Sequence, residues 1–174
     1  MTITAAIIVG NPKTKSRTRR AAELLAAALG AEASVLEVAE LGPGLLGFGS
    51  PGVAEAVAHV QTAELVIAAS PTYKGTYTGL LKLFLDQFET ATGLAGQVGI
   101  PLMLGGGPAH ALAPELILKP VLVELGAICP AQGLYQLDSR YTDDGTRERW
   151  IERWGPTILA TAAQRRATTG GASQ

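Results

Sequence analysis

The sequence predicts a three-layer α/β domain, a five-stranded parallel sheet in the order 2-1-3-4-5 with helices on both faces. Two observations carry this. Short runs rich in strand formers alternate with stretches of helical apolar spacing, strand then helix, along the whole chain. The strand runs are also nearly unbroken in apolar character, as expected where a sheet is covered on both sides.

The strands are taken as Ile3 to Val9, Ser34 to Val38, Leu65 to Ala69, Val98 to Leu104 and Ile128 to Leu137. The second is the weakest, and the fifth is polar in places. The helices are taken as Arg17 to Leu29, Val53 to Ala63, Tyr77 to Glu89, Pro114 to Leu125 and Thr146 to Arg166. Gly30 is placed to end the first of them in a left-handed cap. Leu41 to Gly52, rich in glycine and proline, reads as a loop. Residues 1–167 form one domain on this reading, and the small polar tail 168–174 is expected to be frayed and disordered.

Composition narrows the function. The chain has 174 residues, 47% of them apolar, which is enough for a real core and excludes a disordered protein. A net charge of −1 argues against a general nucleic-acid binder. Cys129 is the single cysteine and has no partner for a disulfide. His59 and His110 lie far apart, and no Cys/His cluster has metal-ligand spacing, so no metal is expected. No apolar run reaches the roughly 18 residues of a membrane span. Met1 to Gly10 lacks a basic segment and is too short for a secretory signal. The expectation is a soluble cytoplasmic protein.

Two helices are apolar nearly all round. Tyr77, Leu80, Leu81, Leu83, Phe84, Leu85 and Phe88 encircle one, and Leu116 to Leu125 does the same in the other. Such helices need cover beyond the sheet. A second subunit is the natural cover in so small a domain, so a homodimer or homotetramer is expected. A long loop is the alternative.

Three loops carry the chemistry. The first runs Gly10-Asn11-Pro12-Lys13-Thr14-Lys15-Ser16-Arg17-Thr18, between a strand and a helix. Ser16 is a candidate N-cap. Hydroxyls, unpaired N–H groups and the helix dipole make such a turn an anion site, and Lys13 and Arg17 add charge. Neither a Walker motif nor Gly-x-Gly-x-x-Gly is present. The second loop, Pro71 to Gly79, is the most informative stretch. Pro71 fixes the chain as it leaves the strand, and Tyr73 offers a flat face with a polar tip, suited to a planar ring. The third is Leu104-Gly105-Gly106-Gly107-Pro108-Ala109-His110, whose glycines let backbone approach a flat ligand. His110 reads more simply as a helix-start residue. In a sheet ordered 2-1-3-4-5 these loops converge on one edge, the flavodoxin-like site, with phosphate at the first loop and ring near the others.

At these residues the chain resembles the NADPH-dependent FMN reductases of flavodoxin-like fold, and in particular the reductases that feed reduced FMN to alkanesulfonate-type monooxygenases. Gly10 to Thr18 is similar to the family's Gly-Ser-Pro-Arg-x-x-Ser-Arg-Ser opening. Pro71, Thr72, Tyr73, Lys74, Gly79, Leu81, Lys82, Leu85 and Asp86 follow its Thr-Pro-x-Tyr-Lys and Gly-x-Leu-Lys-x-x-Leu-Asp pattern. Gly105 to His110 and Leu118-Lys119-Pro120 match its Gly-Gly-Thr-x-Ala-His and Leu-Lys-Pro. The resemblance covers roughly residues 1 to 140. It implies that Asn11, Lys13, Ser16, Arg17 and Thr18 hold the FMN phosphate. It implies that Pro71, Thr72, Tyr73, Lys74, Gly105, Gly106 and Gly107 line the isoalloxazine, with NADPH as hydride donor and a flavin-dependent monooxygenase as partner. Asn11 replaces the usual serine, and Gly107 a frequent threonine. Leu116 lies where several of these reductases place a tyrosine, in a distorted helix thought to tune flavin release. No residue is singled out as catalytic, because the flavin carries the redox work. Two rivals stay open: a quinone or azo-type reductase with tightly held FMN, and a flavodoxin-like electron carrier.

Overall fold

A computed structural model of the chain describes residues 2–170, with side chains through Gln164. Its five strands are β1 (Ile3–Val9), β2 (Ala31–Glu37), β3 (Leu65–Pro71), β4 (Val98–Gly105) and β5 (Leu134–Leu137). All neighbours pair in parallel, in the order β2-β1-β3-β4-β5. This is the predicted flavodoxin-like topology. The helices are α1 (Arg17–Ala28), α2 (Pro51–Gln61), α3 (Gly79–Leu85), α4 (Lys119–Glu124) and α5 (Thr146–Gly170). The backbone of α5 thus includes the first residues of the stretch expected to fray, and 171–174 lie outside the described residues.

Alternation along each strand sends successive side chains to opposite faces and builds two cores. Ile8, Val66, Ala68 and Met103 pack against Leu81, Phe84 and Leu122 on one side. Ile7, Ile67, Ile100 and Leu102 pack against Leu25, Ile158 and Trp150 on the other. Each fully buried side chain of this size stabilises the fold by about 1.5–3 kcal/mol, before cavity terms. Strand β4 is buried along its whole length, which explains its unbroken apolar run.

The boundaries differ where local pattern is weakest. Strand β2 starts at Ala31, three residues earlier than its apolar run, because an edge strand with one partly solvated face tolerates polar residues. Ile128 makes a single bridge to Val98, and regular pairing resumes only at Leu134, past Pro130 and Gly133. Val38–Leu46, partly expected as loop, is a 3₁₀ segment broken at Gly42 (φ +56°). The fourth helix opens with a π-helical turn, Pro114–Leu118, before α4 begins. Gly30 takes φ +68° just past α1, as a left-handed cap requires.

The site edge is held by one buried hydroxyl. Thr78 caps α3 by accepting from the Leu81 amide (3.1 Å), and it donates to the Gly10 carbonyl at the end of β1. Its own amide donates to Ser70 Oγ (3.0 Å), which donates to the Pro71 carbonyl (2.8 Å). The Gly10 amide donates to Ala69 O (2.8 Å). A Cβ at Gly10 would collide with the Cβ of Leu81, so only glycine lets α3 sit this close. Thr78→Val keeps the shape but orphans a buried carbonyl and uncaps α3. It is expected to cost about 2–3 kcal/mol in urea unfolding, and Thr78→Ser less than half of that.

Candidate functional site

At the carboxyl ends of β1, β3, β4 and β5 lies a cavity of about 360 Å³. It is lined by Asn11, Lys13, Ser16, Arg17, Thr18, Pro71, Thr72, Tyr73, Gly105 and Gly106, ten of the twelve residues singled out from sequence. Lys15, Leu104 and Asp138 complete the wall. Lys74 and Gly107 do not line it.

The first loop is shaped by its own side chains. Asn11 Oδ1 accepts from the Lys13 amide (2.9 Å), and Asn11 Nδ2 donates to Thr18 Oγ1 (3.0 Å). Lys15 sits at φ +52°, and its amide donates to the buried Glu37 carboxylate at the end of β2 (2.8 Å). Ser16 is the N-cap, accepting from the Arg19 amide (3.3 Å). Helix geometry leaves the Arg17 and Thr18 amides without intrahelical acceptors. Arg19 turns away from the cavity to Glu23 (2.7 Å) and Glu37 (3.3 Å). The basic cluster therefore divides, with Lys13, Lys15 and Arg17 at the cavity and Arg19 engaged behind it. Arg17 itself meets Asp138 Oδ2 at 3.2 Å.

The second loop is a tight turn. Tyr73 and Thr76 exchange backbone hydrogen bonds (2.8 and 3.2 Å), and Lys74 (φ +52°) and Gly75 (φ +84°) are both left-handed, the type I′ pattern. Lys74 is thus an exposed turn tip. Tyr73 stands half exposed at the cavity, with the Thr72 amide tied to Leu104 O (2.7 Å).

The glycine loop is seated on Tyr135, which sequence reasoning missed. Its phenol donates to Gly107 O (2.6 Å) and fills the space a Cβ at Gly105 would need. Burial raises the pKa of this phenol; Thr72 partly offsets the rise, and the nearby Asp138 adds to it. Thr72 Oγ1 is nonetheless buried without a hydrogen-bond partner of ordinary geometry. His110 lies in a short 3₁₀ turn and faces Gly75.

The π turn is anchored separately. Glu115 accepts from the Gly133 amide (2.6 Å) and from Lys119 (2.9 Å), which also reaches Ala131 O (3.0 Å). Burial pushes the Glu115 carboxyl up, but these two donors together pull its pKa below the ordinary value. Leu116 and Ile117 of this turn are exposed.

These residues fit a phosphate-bearing planar ligand. Cations and free helix amides stand at one end, a tyrosine and a glycine loop at the other, with an orphaned hydroxyl in the wall. The family model for NADPH-dependent FMN reductases matches residues 3–142. The chain belongs to that family. It is 40% identical over 96 residues to an FMN reductase (NADPH) of Escherichia coli K12, an alignment over 55% of this chain and 50% of the relative. The match thus spans only half the length of that relative. It is 30% identical to the NADH-dependent FMN reductase SfnF of Pseudomonas putida, over 91% of this chain and 92% of SfnF. The crystal structure of the apo NADH:FMN oxidoreductase EMOB superposes with a TM-score of 0.79 at 31% identity, covering 94% of this chain and 90% of that one. Among the described residues, no helix is long and apolar enough to cross a membrane.

Cys129, the single cysteine, does not line the cavity. Burial pushes the Cys129 thiol from 9.0 up to about 11. The neutral thiol's contribution to stability is therefore full below the unfolded value and lost as pH rises through about 11. Alkylation of the native protein at pH 8 is expected to be about a hundredfold slower than that of the urea-unfolded chain, from thiolate fraction alone. Equal rates in a stopped iodoacetamide assay would contradict this environment.

Proposed function

We propose that this chain is an FMN reductase that passes hydride from NADPH to FMN. The cavity wall supports this best, with a phosphate-ready helix start and a glycine-edged tyrosine slot in one pocket. Asn11, Lys13, Ser16, Arg17 and Thr18 would hold the phosphate. Pro71, Thr72, Tyr73, Gly105 and Gly106 would border the ring, whereas Lys74 and Gly107, also expected there from the sequence, do not line the cavity. When bound, FMN supplies the redox chemistry. The chain's own part is to fix the ring edge with backbone groups, to neutralise the phosphate, and to leave an open face for the coenzyme.

The π turn at Pro114–Leu118 stands where the resembling two-component reductases have a distorted helix, which supports release of reduced flavin, while Leu116 in place of their tyrosine leaves retention as the alternative. A flavin-dependent monooxygenase is the corresponding proposed acceptor. Purified protein should oxidise NADPH only when flavin is added, and should reduce FMN faster than riboflavin. Lys13→Ala with Ser16→Ala should weaken FMN binding about tenfold or more, since charge-assisted hydrogen bonds are worth roughly 1.5–3 kcal/mol each. Unchanged FMN affinity in that variant would remove the first loop from the site. Yellow protein carrying stoichiometric FMN through purification would favour the tight-binding quinone or azo-type reductase, and flavin binding without coenzyme oxidation would favour an electron carrier.

We also propose a homodimer or homotetramer through the α2–α3–α4 layer. Leu46, Phe48, Leu83, Leu116, Ile117 and Val123 are all exposed there. Light scattering at micromolar concentration should give at least twice the 18.0 kDa chain mass, and an 18.0 kDa particle would refute the assembly.

A further inference from the structure

Arg17 occupies the first position of α1, where the helix dipole favours anions and disfavours a guanidinium. A cation there needs an anionic neighbour. Asp138, just past β5, is that neighbour. Arg17 Nη1 donates to its carboxylate (3.2 Å) and to its backbone carbonyl (3.3 Å). The Asp138 amide is itself tied to Gly105 O (3.0 Å), so the carboxylate is carried by a fixed piece of backbone rather than a loose tail. Lys13, Lys15 and Arg17 face the cavity, and among the described residues Asp138 is the one acid in its wall. A site built to collect an anion thus holds a carboxylate against one of its own cations. Both side chains keep contact with water, 63% exposed for Arg17 and 43% for Asp138, so the pair is weak enough to exchange.

We propose that Asp138 is a specificity-determining residue of the flavin site: it competes with the ligand's phosphate for Arg17 and so keeps a phosphorylated flavin exchangeable. The inference rests on the flavin reading above. Binding of a phosphate monoester transfers Arg17 from one anion to another and brings a dianion beside a carboxylate. Both effects subtract from affinity for FMN, and neither acts on riboflavin, which has no phosphate. The net result is a pocket that recognises the phosphate yet does not trap it, as a reductase that delivers its flavin needs.

The test is a double-mutant cycle read by quenching of flavin fluorescence, with oxidised FMN and riboflavin and no coenzyme. Asp138→Asn should tighten FMN binding about fivefold at low salt, from removal of one nearby like charge, and leave riboflavin unchanged. The gain should shrink at 0.5 M salt, where the Debye length is about 4 Å. It should also be smaller in the Arg17→Ala background, where there is no guanidinium to compete for. Asp138→Ser should reproduce the Asp138→Asn result. Equal or weaker FMN binding by both variants overturns the proposal, because it would mean that Asp138 orients Arg17 for the phosphate. Equal tightening of both flavins overturns it as well, and so does an equal gain with and without Arg17. If the wild-type chain binds neither flavin, the flavin reading falls and this inference with it. Wild-type binding without a gain on Asp138→Asn sinks this inference alone.

Discussion

The geometry of the site edge depends on the Thr78 hydroxyl. Its proton goes to the Gly10 carbonyl at the β1 exit and its lone pair takes the Leu81 amide in the first turn of α3. Through the Thr78 amide the same residue grips Ser70 at the end of β3. One buried side chain therefore couples the phosphate-side loop to the ring-side loop. Parallel sheets bring strand ends together, and direct links between their βα loops, here also Arg17 to Asp138, fix how those loops sit relative to one another. A short capping hydroxyl with both donor and acceptor satisfied does this at little desolvation cost, whereas a half-satisfied one would be destabilising. The bare backbone at Gly10 permits the contact, and the apolar contacts of Leu81 and Phe84 hold α3 down onto it.

The site is assembled from two kinds of support. Behind the first loop, Glu37 receives the Lys15 amide and the Arg19 side chain, which fixes the left-handed turn before the Ser16 cap. Behind the glycine loop, Tyr135 props Gly107 from below. Neither need touch a ligand. Each fixes the backbone of a loop that contributes to the cavity wall, so the shape of the wall is set by side chains packed behind it.

Much of this was legible in the sequence because it is local. A strand run, a glycine exit, a serine N-cap and a helical pattern follow one another within Ile3 to Leu29, and the structure reproduces them nearly residue for residue. Convergence of the loops followed from topology, which the apolar alternation implied. The partners that were missed come from afar in the chain. Asp138 reaches Arg17 across 121 positions, and Tyr135 reaches Gly107 across 28. No periodicity carries such pairings. The π turn showed only through the family resemblance at Leu116 and not in the periodicity: inserting one residue into a helix changes its hydrogen-bond ladder but hardly disturbs an apolar pattern already dense on every side. The fifth strand was overread because apolar residues from Ile128 onward continue past Pro130 and Gly133, where ladder pairing cannot.

The Tyr135 ring and the bare Cα of Gly105 occupy space that only one of them can fill. The two positions are thus sterically coupled. A side chain at 105 would require the hydroxyl end of Tyr135 to move or the ring to go, and losing the ring alone opens a hole under the glycine loop. Each single step is disfavoured although the pair of changes is not, which tends to freeze both residues together. A chain that shows one of them altered should show the other altered too, and the floor of its pocket rebuilt.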